Sequence, residues 1–130
     1  MIWTTILFVL TLLRPVAAVP DVSGSWAISG EINGDINSGT FSVACAFHQT
    51  GENIDGVCTR ASGDVAVSGQ VTEQGVSFQY DTEVGDGFGG SVTQEWLFSG
   101  TLDKAGTTMT GKASLGGVGE GTFTAKKQKK

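Results

Sequence analysis

From residue 24 onward, apolar and polar positions alternate with a period of two along most of the chain. In Trp26-Ala-Ile-Ser, Phe41-Ser-Val-Ala-Cys-Ala-Phe-His and Val76-Ser-Phe-Gln-Tyr-Asp, every second side chain is large and apolar. That is the mark of a strand with one buried and one wet face. No segment past the N-terminal leader carries a convincing helical spacing. Gly-containing turns break the alternation every 10–15 residues and predict strands over 24–32, 35–49, 53–60, 64–72, 75–84, 91–102, 106–114 and 118–126. All connections are short, so successive strands should pair antiparallel. Eight such strands predict an all-β, up-and-down closed barrel, because closure removes the exposed edges. A two-sheet β-sandwich is the alternative.

Turn chemistry proposes a register. A two-residue turn at Asn33-Gly34 sets Trp26 opposite Phe41 and Ile28 opposite Gly39. A turn on Gly51-Glu52 sets Cys45 opposite Cys58, Phe47 opposite Gly56 and His48 opposite Asp55. The cysteines then form a non-hydrogen-bonded pair, where Cα atoms lie about 4.5 Å apart, within disulfide reach. A four-residue loop at 72–75 sets Val71 opposite Val76, Gly69 opposite Phe78 and Val67 opposite Tyr80. Glycine recurs opposite an aromatic ring, a pairing in which the ring covers bare backbone and the strand coils sharply. In 106–126 the register stays open, because Gly116, Gly117 and Gly119 permit several turns. The predicted inward face holds Trp26, Ile28, Phe41, Val43, Cys45, Phe47, Ile54, Cys58, Val65, Val67, Val71, Val76, Phe78, Tyr80, Trp96, Phe98, Met109 and Phe123.

Composition adds an address. Met1–Leu13 is apolar, and Val16-Ala17-Ala18 places small residues as a signal-peptidase site requires. We therefore expect a signal peptide over 1–18, a single β-barrel domain over 19–125 and a basic C-terminal tail over 126–130. The expected location is secreted or periplasmic. Beyond the leader no apolar run approaches the roughly 20 residues of a membrane span. Both cysteines fall in the exported part, which makes a disulfide the default in an oxidising compartment. One histidine and two cysteines make no standard zinc site. Between residues 19 and 125, Arg60, Lys104 and Lys112 face thirteen Asp and Glu, an acid excess that repels phosphate backbones and argues against nucleic acid.

Gly24-Ser25-Trp26 opens the first strand and Lys126 lies near the end of the last. A G-x-W there, with a late basic residue, resembles the calycin group of barrels: lipocalins, fatty-acid-binding proteins and avidins. The layout is also similar to small secreted bacterial barrels of unassigned role. The resemblance implies a closed end where the tryptophan packs under the basic residue, for which Lys126 is the stand-in. Thr93-Gln-Glu-Trp-Leu97 and Gly121-Thr-Phe-Thr124 are similar to avidin-type late strands. The tryptophans of a biotin cup are not matched, so no biotin-site residue carries over.

Candidate chemistry is sparse. Trp96, Phe98, Phe78, Tyr80 and Trp26 are expected to line a cup for a small, largely apolar ligand. Phe88, in the glycine-rich loop Gly85–Gly90, is a candidate contact at the barrel mouth. His48 and Asp55 form an outward pair with no serine beside them, and Asp81, Glu83 and Asp86 lack the pattern of a calcium loop. No acid–base–nucleophile set converges, so no enzyme, metal or cofactor is called for. The leading expectation is an exported, non-enzymatic, small-ligand-binding barrel. The alternative is a filled-barrel protein-interaction or inhibitor module of the cell envelope, and the third an avidin-like biotin binder. Oligomeric state is left open; Val57 and Leu97 point outward.

Overall fold

Strand follows strand along the chain, with no helix among the described residues. The computed structural model describes residues 19–34, 38–85, 87–116 and 119–128. The expected leader, 1–18, lies outside them. The strands are β1 (Gly24–Gly34), β2 (Ser38–Thr50), β3 (Asn53–Arg60), β4 (Gly63–Val71), β5 (Val76–Gly85), β6 (Ser91–Leu102), β7 (Thr108–Leu115) and β8 (Gly119–Lys127). Each pairs antiparallel with the next and β8 pairs back with β1, closing the barrel. The closed up-and-down barrel holds, and the sandwich does not.

Five of the proposed pairings carry over intact, among them His48 with Asp55 and Val71 with Val76. Cys45 lies opposite Cys58 and the two are bonded, with Cα atoms 3.9 Å apart. Phe47 faces Gly56, and Gly69 faces Phe78. The first hairpin is corrected. Trp26 pairs with Cys45 and Ile28 with Val43, because β1 runs on through Asn33 and Gly34, which β8 holds in register against Glu120 and Gly119. The partner slips by four residues, an even number, so the inward face is unchanged. The third hairpin also differs: its ladder ends at Ser68/Gln79, one pair short of Val67 and Tyr80. In the stretch left open, Met109 pairs with Ala125 and Leu115 with Gly119. Lys126 and Lys127 belong to β8 rather than to a tail.

The lumen is filled. Phe78 and Phe98 stack with centroids 4.7 Å apart, and Phe47 and Phe123 meet Phe78 edge-on at 5.1 and 6.0 Å. Such pairs add roughly 0.5–1.5 kcal/mol each beyond the area they bury. The rings fit because the wall beside them carries no side chains. A Cβ on Gly69 would lie 2.0 Å from the Ser77 carbonyl oxygen, and one on Gly121 1.7 Å from that of Glu31. Glycine alone permits this approach, and it lets the strands coil tightly enough to close on eight.

One end is sealed by the residues preceding β1. Val22 is fully buried and its carbonyl accepts a hydrogen bond from Trp26 Nε1 at 2.9 Å. Its own N–H donates to Gln49 Oε1 at 2.7 Å, while Gln49 Nε2 donates to the Pro20 carbonyl at 2.9 Å. The sealed end matches the one the calycin resemblance implies, but the basic residue on the inward face is Lys127, paired with Trp26, while Lys126 is exposed. The opposite end, where β5 turns into β6, is the mouth.

Gly69→Ala should lower unfolding free energy by about 3 kcal/mol, the upper part of the overpacking range. Gly39→Ala, whose Cβ meets nothing within 4 Å, should change it by less than about 1 kcal/mol. Urea titration of the two variants checks this. Reduction of Cys45–Cys58 opens the loop that the bond closes across a sequence separation of 13 and should cost at most roughly 3 kcal/mol, read as a lower melting temperature in reductant.

Candidate functional site

The five aromatics expected to line one cup separate along the barrel axis. Trp26 lies at the sealed end, fully buried. Phe78 and Phe98 occupy the middle, 2% and 1% exposed and stacked on each other, so no ligand sits between them without displacing the core. Tyr80 and Trp96 form the next layer toward the mouth. They are paired across β5 and β6, with ring centroids 5.9 Å apart and planes 24° from parallel. Trp96 is the half-buried member, and its ring also meets Phe41 of β2 edge-on at 5.4 Å. It thus reaches across the lumen and forms the floor of the rim.

Two polar groups complete that floor. Thr82 is buried, and its Oγ1 accepts a hydrogen bond from Trp96 Nε1 at 3.3 Å. This fixes the indole plane and satisfies its donor. Burial pushes the Tyr80 phenol up to about 12, and the nearby Arg60 cation offsets part of that rise. Arg60 ends β3 on the same alternation as Ile54 and Cys58, which turns it toward the mouth. Neither Thr82 nor Arg60 was picked out from the sequence. Extending the period-two pattern one step past Tyr80 and one past Cys58 would have found both.

Above this floor stands a two-stranded arm. β5 and β6 pair as far as Gly85/Ser91, but β7 joins β6 only from Trp96 onward and β4 leaves β5 after Gln79. Asp81–Gly85 and Ser91–Glu95 therefore project beyond the barrel wall. At the tip, Gly87 and Gly89 have φ of 86° and 89°, backbone that favours glycine, and Phe88 between them is 93% exposed. Glu83 accepts a hydrogen bond from the Ser91 hydroxyl at 2.9 Å. Of the three carboxylates weighed for calcium, Asp81 and Glu83 share the outer face of the arm and Asp86 lies outside the described residues. His48 faces Asp55 on the exposed side of β2 and β3, as expected.

The barrel also has a concavity outside the lumen. A hollow of about 660 Å³ lies over β4 to β8, lined by outward side chains that include Ser68, Gln70, Ser77, Gln79, Leu97 and Ser99. Leu97 is 38% exposed there, and Val57 is 45% exposed on β3.

Among solved structures, a redesigned β-barrel is similar: 11% identical, with the match covering 83% of this chain and 92% of that chain at a TM-score of 0.54. The likeness is one of fold. No protein-family model and no curated protein matches the chain.

The Tyr80 phenol gives a pH test. Its folded pKa is above the unfolded value near 10, so the folded state holds that proton more tightly. This contribution is fully present below about pH 10 and lost as pH rises toward 12. Between about pH 8 and pH 11 the wild type should lose more stability than Tyr80→Phe, measured as urea midpoints of both proteins at both pH values.

Proposed function

We propose that this barrel is a non-enzymatic binding module whose filled lumen is a scaffold and whose ligand docks at the rim. The observation that carries the reading is the position of Trp96. It is the inward aromatic of β6 that stays half exposed, its indole plane is held by Thr82, and the arm rises over it. A rigid, partly exposed aromatic face beside a few polar groups suits a small, planar, largely apolar ligand. The ligand stacks on Trp96 with Tyr80 behind it, above Phe78 and Phe98 rather than between them. The Cys45–Cys58 disulfide fits work in an oxidising compartment, the secreted or periplasmic setting that the leader implies.

A second reading rests on Phe88. An aromatic 93% exposed at the tip of a projecting arm suits contact with a protein partner. In that reading the rim is structural and the arm is the interface.

Titration of the oxidised protein with the neutral probes Nile red and N-phenyl-1-naphthylamine, followed by tryptophan emission, separates the two. The rim reading expects saturable binding that Trp96→Ala weakens roughly tenfold or more, about 1.4 kcal/mol, and that Phe88→Ser leaves unchanged. Absence of saturable binding, or equal binding by Trp96→Ala, rejects it.

A further inference from the structure

The ladder between β4 and β5 is short. It joins Ser68–Val71 to Val76–Gln79 and no further, although β4 begins at Gly63 and β5 continues to Gly85. β4 above this point is paired with β3 alone, and β5 above it with β6 alone. In an antiparallel strand, alternate N–H and C=O groups point to each side. The upper halves of β4 and β5 therefore turn two backbone edges toward one another that no described strand pairs. The β6 edge over Ser91–Glu95 is likewise unpaired by β7, but it faces away from β4. The seam between β4 and β5 opens at the mouth, beside the arm.

The side chains flanking the seam differ by face. Outward lie Asp64 on β4 and Asp81 and Glu83 on β5, all exposed. Inward lie Val65, half buried, and Tyr80. Tyr80 is 3% exposed, and among the described residues its hydroxyl has no hydrogen-bond partner. No wholly buried side-chain nitrogen or oxygen among the described residues lacks a partner, so the hydroxyl is the part of Tyr80 that reaches the opening. Arg60, next to the seam through its pairing with Gly63, is close enough to act on that phenol.

We propose that the seam receives an extended peptide as an added strand, with basic residues alternating with apolar ones. Its backbone would pair with the β5 edge over Tyr80–Gly85, roughly 20 Å at about 3.3 Å per residue. Alternation would place its basic side chains against Asp64, Asp81 and Glu83, and its apolar ones against the half-buried Val65. The acid excess of residues 19–125 selects a cationic partner over an anionic one. The site is separate from the Trp96 face and does not depend on a ligand docking there.

The test uses the oxidised barrel and three synthetic, end-capped heptapeptides: Lys-Val-Lys-Val-Lys-Val-Lys, its Glu-for-Lys counterpart, and a Lys-Pro version that cannot form a ladder. Calorimetry gives affinity, and amide hydrogen exchange by NMR gives the place. The expected result is binding of the Lys-Val peptide alone, with slowed exchange at alternate amides within Tyr80–Gly85. Asp81→Lys with Glu83→Lys, both exposed positions, should weaken that binding roughly tenfold or more, while Trp96→Ala should leave it unchanged. Binding without protection at this edge, equal binding of the Lys-Pro peptide, or indifference to the charge reversal overturns the proposal. So does protection of the same amides that grows with protein concentration alone, which would make the occupant a second copy of the chain.

Discussion

The close approach of neighbouring backbones at glycine is the constraint on which the barrel depends. At Gly30, Gly69, Gly111 and Gly121 the place of a Cβ is taken by a carbonyl oxygen of the next strand, between 1.7 and 2.1 Å away. Where strands crowd this closely they bend hard, and eight of them meet end to end. The same bare wall gives Phe47, Phe78, Phe98 and Phe123 room to interlock. Filling and closure are therefore one event, and a barrel closed this way places binding at its ends and outer surface.

That constraint sorts the aromatic residues by height. Along β5 and β6 the layers Phe78/Phe98 and Tyr80/Trp96 look alike as sequence, since each is an aromatic pair on the inward alternation. The mid-lumen layer is ringed by Phe47 and Phe123, while the layer above meets phenyl rings only at Phe41 and at Phe98 below it. One layer higher, β7 has stopped pairing with β6 beyond Trp96, and Trp96, held by Thr82 and Phe41, is left partly exposed. A change of two residues along a strand thus turns a packing residue into a candidate contact residue.

Much of the fold was legible because strand alternation is a local signal. The Gly51-Glu52 turn and the cysteine spacing converged on one register, and the structure keeps it. Asn33-Gly34 misled because a favourable turn dipeptide competes with the ladder to β8, a partner almost ninety residues away in sequence. The plug at the sealed end was invisible for a related reason. Val22 and Gln49 meet through a hydrogen bond spanning 27 residues, and the one hint was an amide standing where the alternation called for an apolar side chain. Where a ladder stops is likewise decided by how the barrel shears. The arm and the seam beside β5 therefore left no mark in the order of residues.

The plug carries a consequence for geometry at larger scale. Pro20 is anchored at the sealed end by Gln49, and at the other extremity of the described chain the Gln128 N–H donates to the Ser25 carbonyl at 2.8 Å. Both ends of the domain thus leave from the same pole, opposite Trp96 and the arm. Any tether, fused domain or surface joined to either end holds the barrel by its base and turns the mouth away from the attachment. The fold is in this sense a polarised unit, one pole for anchorage and the other left to meet the surroundings.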